Sequence, residues 1–151
     1  MGFEPAMLKL LGQNHARIPD LQTATPDEIQ QVFPVPEWRL ETSPEGIRTV
    51  VSTTAVAPMH VALPAGRTLV LFRVHAARID RPYRLVLFSG EQELDRQDVY
   101  QSEAFLLAGV SESTSDAAAG KIEIRTVPLD DIEPSVLQAQ FAFSYAGVLN
   151  L

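Results

Sequence analysis

The chain is 151 residues long, carries a formal net charge of −7 and contains no cysteine. That length builds one domain with a core large enough to stand without disulfides or metal. The missing thiols exclude a cysteine nucleophile, a zinc–thiolate cluster and a disulfide framework, and the acidic balance disfavours nucleic-acid backbones and anionic membranes as partners.

Near the N-terminus, Glu4 precedes a short apolar run at residues 7–11 with no basic region before it. This is not the pattern of a secretory signal, and no run approaches the length of a membrane span. The expected location is a virion or the cytoplasm. Six of the eleven prolines fall within residues 1–45. Because proline blocks ladder pairing and fixes φ, this part is expected to be a non-sheet arm holding one or two short helices.

The first helix would follow Pro5, with Met7, Leu10 and Leu11 on one face and Gly12 as its stop. The second is better marked: Thr25 as N-cap, Pro26 at the first helical position, Glu28 completing a Thr-x-x-Glu capping box, and Ile29, Val32 and Phe33 on one face before Pro34. Residues 33–38 then read as an extended, polyproline-like stretch ending in Trp38. An arm this apolar must dock, either on its own body or on a neighbouring subunit. Phe3, Leu10, Leu11, Ile29, Phe33 and Trp38 are its candidate partner-binding residues, and truncating Phe33 or Trp38 is expected to loosen the arm without unfolding the body.

From residue 46 to residue 151 the pattern is all β. Residues 47–54 alternate, and residues 57–61 form a short strand interrupted by Pro58. Two nearly continuous apolar runs, at residues 68–77 and 82–89, have the character of central strands. A turn at residues 89–92 leads into a strand over 93–100, and an apolar strand follows over 104–110. Residues 111–120 are small and polar, as in a loop. Residues 121–127 alternate cleanly, with Ile122, Ile124 and Thr126 on one face. After a polar connection, residues 136–148 close the fold with Leu137, Ala139, Phe141, Phe143 and Tyr145 on one face. Strands at intervals of about ten residues, with no helical period between them, specify an antiparallel β-sandwich of jelly-roll type.

No stretch declares a chemistry. His15, His60 and His75 lack ligand spacing, no glycine pattern surrounds a serine nucleophile, and Asp95 and Asp98 fall on opposite faces of one strand because their separation is odd. No cofactor and no metal are expected. Arg73, Arg78, Arg81 and Arg84 form a basic cluster in an acidic chain, suited to an acidic neighbour such as the arm of another copy, or serving to keep an apolar hairpin soluble.

These features together point to a non-enzymatic structural or assembly protein. Concretely, that is a virion accessory subunit of capsid-decoration or head-fibre-base type, homo-oligomeric with a trimer favoured, held in a larger assembly through its arm and sandwich surfaces. The alternative is a carbohydrate-binding jelly-roll module, which would show clustered aromatics among Trp38, Tyr83 and Tyr100. A metal enzyme would instead require His60 and His75 to converge.

Overall fold

Thr25 starts the first element in the way its sequence dictates: its hydroxyl accepts from the Glu28 N–H at 3.2 Å, while the Glu28 carboxylate accepts from the Thr25 N–H at 3.0 Å. Both orphan donors of the helix start are thereby satisfied. In the computed structural model, which describes residues 20–61, 66–113, 121–130 and 140–150, this helix is α1 (Pro26–Val32). The helix expected around residues 5–12 lies outside the described residues, as do residues 114–120 of the loop expected over 111–120; residues 111–113 are strand, paired with residues 66–68.

Nine strands follow among the described residues: β1 (Trp38–Thr42), β2 (Arg48–Ser52), β3 (Val56–His60), β4 (Gly66–Arg78), β5 (Tyr83–Ser89), β6 (Gln92–Val99), β7 (Ala104–Ser113), β8 (Lys121–Pro128) and β9 (Gln140–Asn150). They form two antiparallel sheets, one of five strands in the order β1-β2-β9-β4-β7 and one of four in the order β3-β8-β5-β6. The molecule is therefore the expected β-sandwich.

The reading of residues 1–45 as free of sheet fails at one place. Trp38–Thr42 lies within the arm that was read as non-sheet, yet it is β1, paired with β2 from Trp38↔Ser52 to Thr42↔Arg48. The prolines explain the error: Pro34 and Pro36 precede this strand and Pro44 follows it, so five consecutive residues keep their N–H groups. Pro44 sits in the hairpin turn instead, where Ser43 N–H donates to the Ile47 carbonyl at 2.8 Å. Gly46 supplies the positive φ of 85° that this turn requires.

Alternate residues of each strand meet between the sheets. Val70, Phe72, Val74 and Ala76 of β4, Tyr83, Leu85 and Leu87 of β5, Ile122 and Ile124 of β8, and Phe141 and Phe143 of β9 form the centre of the core. Leu21, Ile29, Val32, Phe33 and Trp38 belong to the same core. Edge-to-face contacts run from Phe33 to Trp38 to Phe143 to Phe72, with centroids 5.1, 5.0 and 6.2 Å apart. Each such pair adds about 0.5–1.5 kcal/mol beyond the area it buries.

Residues 20–24 are tied to β2 as well. Gln22 exchanges hydrogen bonds with the Arg48 backbone at 2.8 and 3.0 Å, and the Arg48 guanidinium donates to the Ala24 carbonyl. Docking of residues 20–38 on the chain's own body also changes the expected outcome of truncation. Phe33 and Trp38 belong to the shared core, so their loss is expected to destabilise the whole sandwich.

The sheets are closed along both sides. On one side the Trp38 indole donates to the Pro58 carbonyl at 2.7 Å. Pro58 is tolerated in a strand because β3 is an edge. On the other side the Asp95 carboxylate accepts from the Ala108 N–H at 3.0 Å, and the hydroxyls of Ser89 and Ser111 lie 2.8 Å apart.

Candidate functional site

The outer faces of the two sheets differ in kind. On the four-stranded sheet, each described arginine is held by a carboxylate of the same face: Arg84 by Asp98 at 2.7 Å, Arg96 by Glu93 and Arg125 by Glu123, both at 2.5 Å. Arg125 also lies 4.0 Å above the Phe88 ring, a cation–π contact. Hydrogen bonds from Arg84 hold the Asp98 carboxyl below its usual range, and those from Arg96 do the same for Glu93. The described arginines of this face are thus paired within it.

Across the five-stranded sheet, pairing aligns a row of outward residues: Arg39 opposite Val51, Val51 opposite Ala142, Ala142 opposite His75, and His75 opposite Ala104. Thr49 and Arg73 belong to the next level. Between them lies an open cleft of about 260 Å³ lined by Thr49, Arg73, His75, Ala104 and Ala142.

Two alanines, on the strands either side of β4, leave this cleft its depth, since a larger side chain at either position would fill it. The β4–β9 register shifts between Arg73 and Val74, where β9 runs from Tyr145 to Phe143 against one step of β4. Such a bulge adds local twist. At the β1 side, Arg39 pairs with Glu41 at 2.8 Å, and Gln140 of β9 donates to Glu41 at 3.4 Å. The floor is thus partly apolar, while imidazole, guanidinium and hydroxyl groups supply polar contacts.

The basic cluster read from the sequence is divided by the fold. β4 and β5 lie in different sheets, so the connection at residues 79–82 crosses the sandwich rather than closing a hairpin. Arg73 and Arg78 stay on β4, while Arg84 faces outward from the other sheet. Arg81 lies in the connection, 3.3 Å from Asp80 and 3.4 Å from Asp130. There the buried Tyr83 hydroxyl donates to Asp80 at 2.8 Å. Burial, reinforced by that carboxylate, pushes the Tyr83 phenol up to about 12.

Of the arm residues, Ile29, Phe33 and Trp38 are each about 1% exposed within the chain's own core, which leaves no surface at these three for a partner. Phe3, Leu10 and Leu11 lie outside the described residues. Trp38 and Tyr83 are interior. Tyr100 is 67% exposed, but it directly follows β6 of the four-stranded sheet, away from the cleft.

His60 and His75 do not converge. His60 is an outward residue of β3 and His75 an outward residue of β4, on opposite faces of the sandwich. Among the described residues no three His, Asp or Glu side chains group as metal ligands, and no described helix is long and apolar enough to cross a membrane. The cleft was absent from the sequence reading. Its one advance signal was the exposed Arg73–His75 pair inside an otherwise apolar strand.

No family profile matches the chain, and no curated protein does. Solved structures do resemble it. One contains the CBM22-1–GH10 modules of the N-terminal endo-1,4-beta-D-xylanase 10B from Clostridium thermocellum, complexed with xylohexaose. It has TM-score 0.53 and 12% identity, covering 78% of this chain but 25% of that one. The chain therefore spans about a quarter of that xylanase structure.

A family 16 carbohydrate-binding module matches with TM-score 0.51 and 12% identity over 90% of this chain and all of the other. The C-terminal CBM6 of a laminarinase from Zobellia galactanivorans gives TM-score 0.45 and 12% identity, over 76% and 89% of the two chains. At these identities the likeness is one of fold.

Proposed function

We propose that the protein is a non-catalytic carbohydrate-binding module that takes a glycan chain across the outer face of its five-stranded sheet. The observation that carries this reading is the open cleft lined by Thr49, Arg73, His75, Ala104 and Ala142. A sugar chain presents hydroxyls around its rim and apolar C–H faces. A shallow trough combining polar tips with a small-residue floor matches both, as is usual for small-molecule sites. Fold neighbours named as carbohydrate-binding modules, with TM-scores of 0.53 and 0.51, support the reading.

The test is affinity electrophoresis of the full chain in gels containing soluble polysaccharides, repeated with His75→Ala. Retardation by at least one polysaccharide, weakened in the variant while its melting temperature holds, is the expected result. Equal mobility in every gel removes the reading.

A second reading, the structural subunit of a trimeric or virion assembly, draws on Val56 and Val127, which are 51% and 45% exposed. They are diagonal neighbours on β3 and β8, beside the open edge of the four-stranded sheet. Light scattering on the full chain across a range of concentrations tests it. A trimer that Val56→Lys converts to a monomer favours assembly, and a monomer throughout removes it.

A further inference from the structure

We propose that the outer face of the four-stranded sheet is a docking surface for a second copy of this chain, the two copies packing face to face about a two-fold axis. The inference concerns the face opposite the cleft and does not depend on the carbohydrate-binding reading.

Pairing across this sheet sets outward residues of neighbouring strands directly opposite one another, in rows that cross the strands. One row reads Arg96, Val86, Arg125, Val56, from β6 through β5 and β8 to β3. The next, two residues along β5 and so about 7 Å away, reads Glu93, Phe88, Glu123, Pro58. Each arginine therefore has a glutamate beside it in the neighbouring row, and each apolar residue has an apolar one. The β6 bulge between the partners of Leu87 and Phe88 creates this match. Without it, Leu94 and not Glu93 would stand opposite Phe88.

A two-fold axis parallel to the rows and midway between them turns the face over and exchanges one row for the other. Arg96 of one copy then lies over Glu93 of the second, Arg125 over Glu123, Val86 over Phe88 and Val56 over Pro58. Aligned sheets pack face to face in this way, and a surface that matches its own image singles out a second copy as the occupant. The charged groups are ordered beforehand: Arg96 lies 2.5 Å from Glu93, while Arg125 lies 2.5 Å from Glu123 and 4.0 Å above the Phe88 ring. That lowers the entropic cost of association. Both arginines remain accessible, at 51% and 41%. An isolated exposed pair contributes little, whereas association joins the pairs of two copies into rings of alternating charge. Val56, 51% exposed, is covered at the same time. The face is roughly 20 Å across, which places the dimer at the weak, reversible end of protein interfaces. Both clefts stay open, facing away from each other on the outer sides of the dimer.

The experiment is sedimentation velocity of the full chain from about 10 μM to about 1 mM, the range a weak interface requires. A monomer–dimer equilibrium is the expected result. Arg96→Glu sets like charges over each other and should weaken dimerisation about tenfold or more. The exchanged variant, Glu93→Arg with Arg96→Glu, restores the pairing both within the chain and between identical copies, so it should dimerise as the parent does. Mixed with fluorescently labelled parent, however, it should form no mixed dimers, because arginine then faces arginine and glutamate faces glutamate. His75→Ala, on the opposite face, should leave the equilibrium unchanged. A monomer at every concentration overturns the proposal, and so does a trimer. A dimer that Arg96→Glu leaves intact, or that the exchanged variant fails to restore, overturns it as well. Mixed dimers formed as readily as like ones overturn the pairing of the rows. A melting curve for Arg96→Glu that matches the parent excludes misfolding, and the exchanged variant, which keeps its ion pair, tests the row pairing independently of that single change.

Discussion

The Trp38 indole donates its N–H to the Pro58 carbonyl at 2.7 Å, joining edge strand β1 of one sheet to edge strand β3 of the other. The donor lies in a segment whose proline content suggested an arm, and the acceptor is itself a proline in a strand. Trp38→Phe keeps a ring in the core but leaves that carbonyl without its partner, at an expected loss of about 1–3 kcal/mol. Trp38→Ala also empties a core position and should lose about 3–5 kcal/mol. Urea unfolding would show both as shifts of one cooperative transition. An early, separate transition in Trp38→Ala would mean instead that residues 20–42 fold apart from the sandwich.

Phe72 is fully buried and meets Phe143 edge to face at 6.2 Å. Phe72→Ala is expected to destabilise by about 3–5 kcal/mol. A change under about 1 kcal/mol in the same urea experiment would contradict the inward assignment of this side of β4.

Gly109 lies where β7 passes beneath β6. A Cβ there would stand 2.7 Å from both the Cβ and the carbonyl oxygen of Leu94. Because backbone cannot yield as a side-chain tip does, Gly109→Ala should cost about 1–3 kcal/mol through forced separation of the two strands. Thermal melting checks this, and an unchanged melting temperature would show that the strands separate freely.

Thr68 is 1% exposed and its hydroxyl has no hydrogen-bond partner. Replacing it with the near-isosteric Thr68→Val removes a buried polar group that gains nothing. Stability is expected to rise by about 1 kcal/mol. A fall of similar size would reveal a partner for the hydroxyl.

Tyr83 gives the fold an alkaline limit. Its phenol titrates near 12 in the folded chain against about 10 when unfolded. A raised folded value favours the protonated form, so this contribution is complete below about pH 10 and is lost as pH rises toward 12. Tyr83→Phe should remove that part of the pH dependence and, with the bond to Asp80 gone, lower stability at neutral pH by about 1 kcal/mol. Parallel alkaline titrations of stability for parent and variant make the comparison. Identical slopes between pH 10 and 12 would exclude Tyr83 as their source.

Local features were legible because their causes are local. The capping box of α1 needs only Thr25 and Glu28 three residues apart, and the inward set Ile122, Ile124 and Thr126 follows from the two-residue period of a strand. The same period placed Asp95 and Asp98 on opposite faces, one facing Ala108 and the other Arg84. Averaging failed where proline density over 45 residues obscured a five-residue strand at Trp38.

The sequence by itself determined a sandwich of alternating strands with a capped helix ahead of it, since periodicity, turn residues and caps act between near neighbours. Only the tertiary structure decided which sheet each strand joins. That choice sends Arg73 and Arg84 to opposite faces although they flank one short connection. It brings Thr49, Arg73, His75, Ala104 and Ala142 to one cleft from four strands, and turns Ile29, Phe33 and Trp38 inward. These outcomes depend on pairing between residues up to about a hundred positions apart, which is settled by which apolar faces can be buried together and not by the order of residues along the chain.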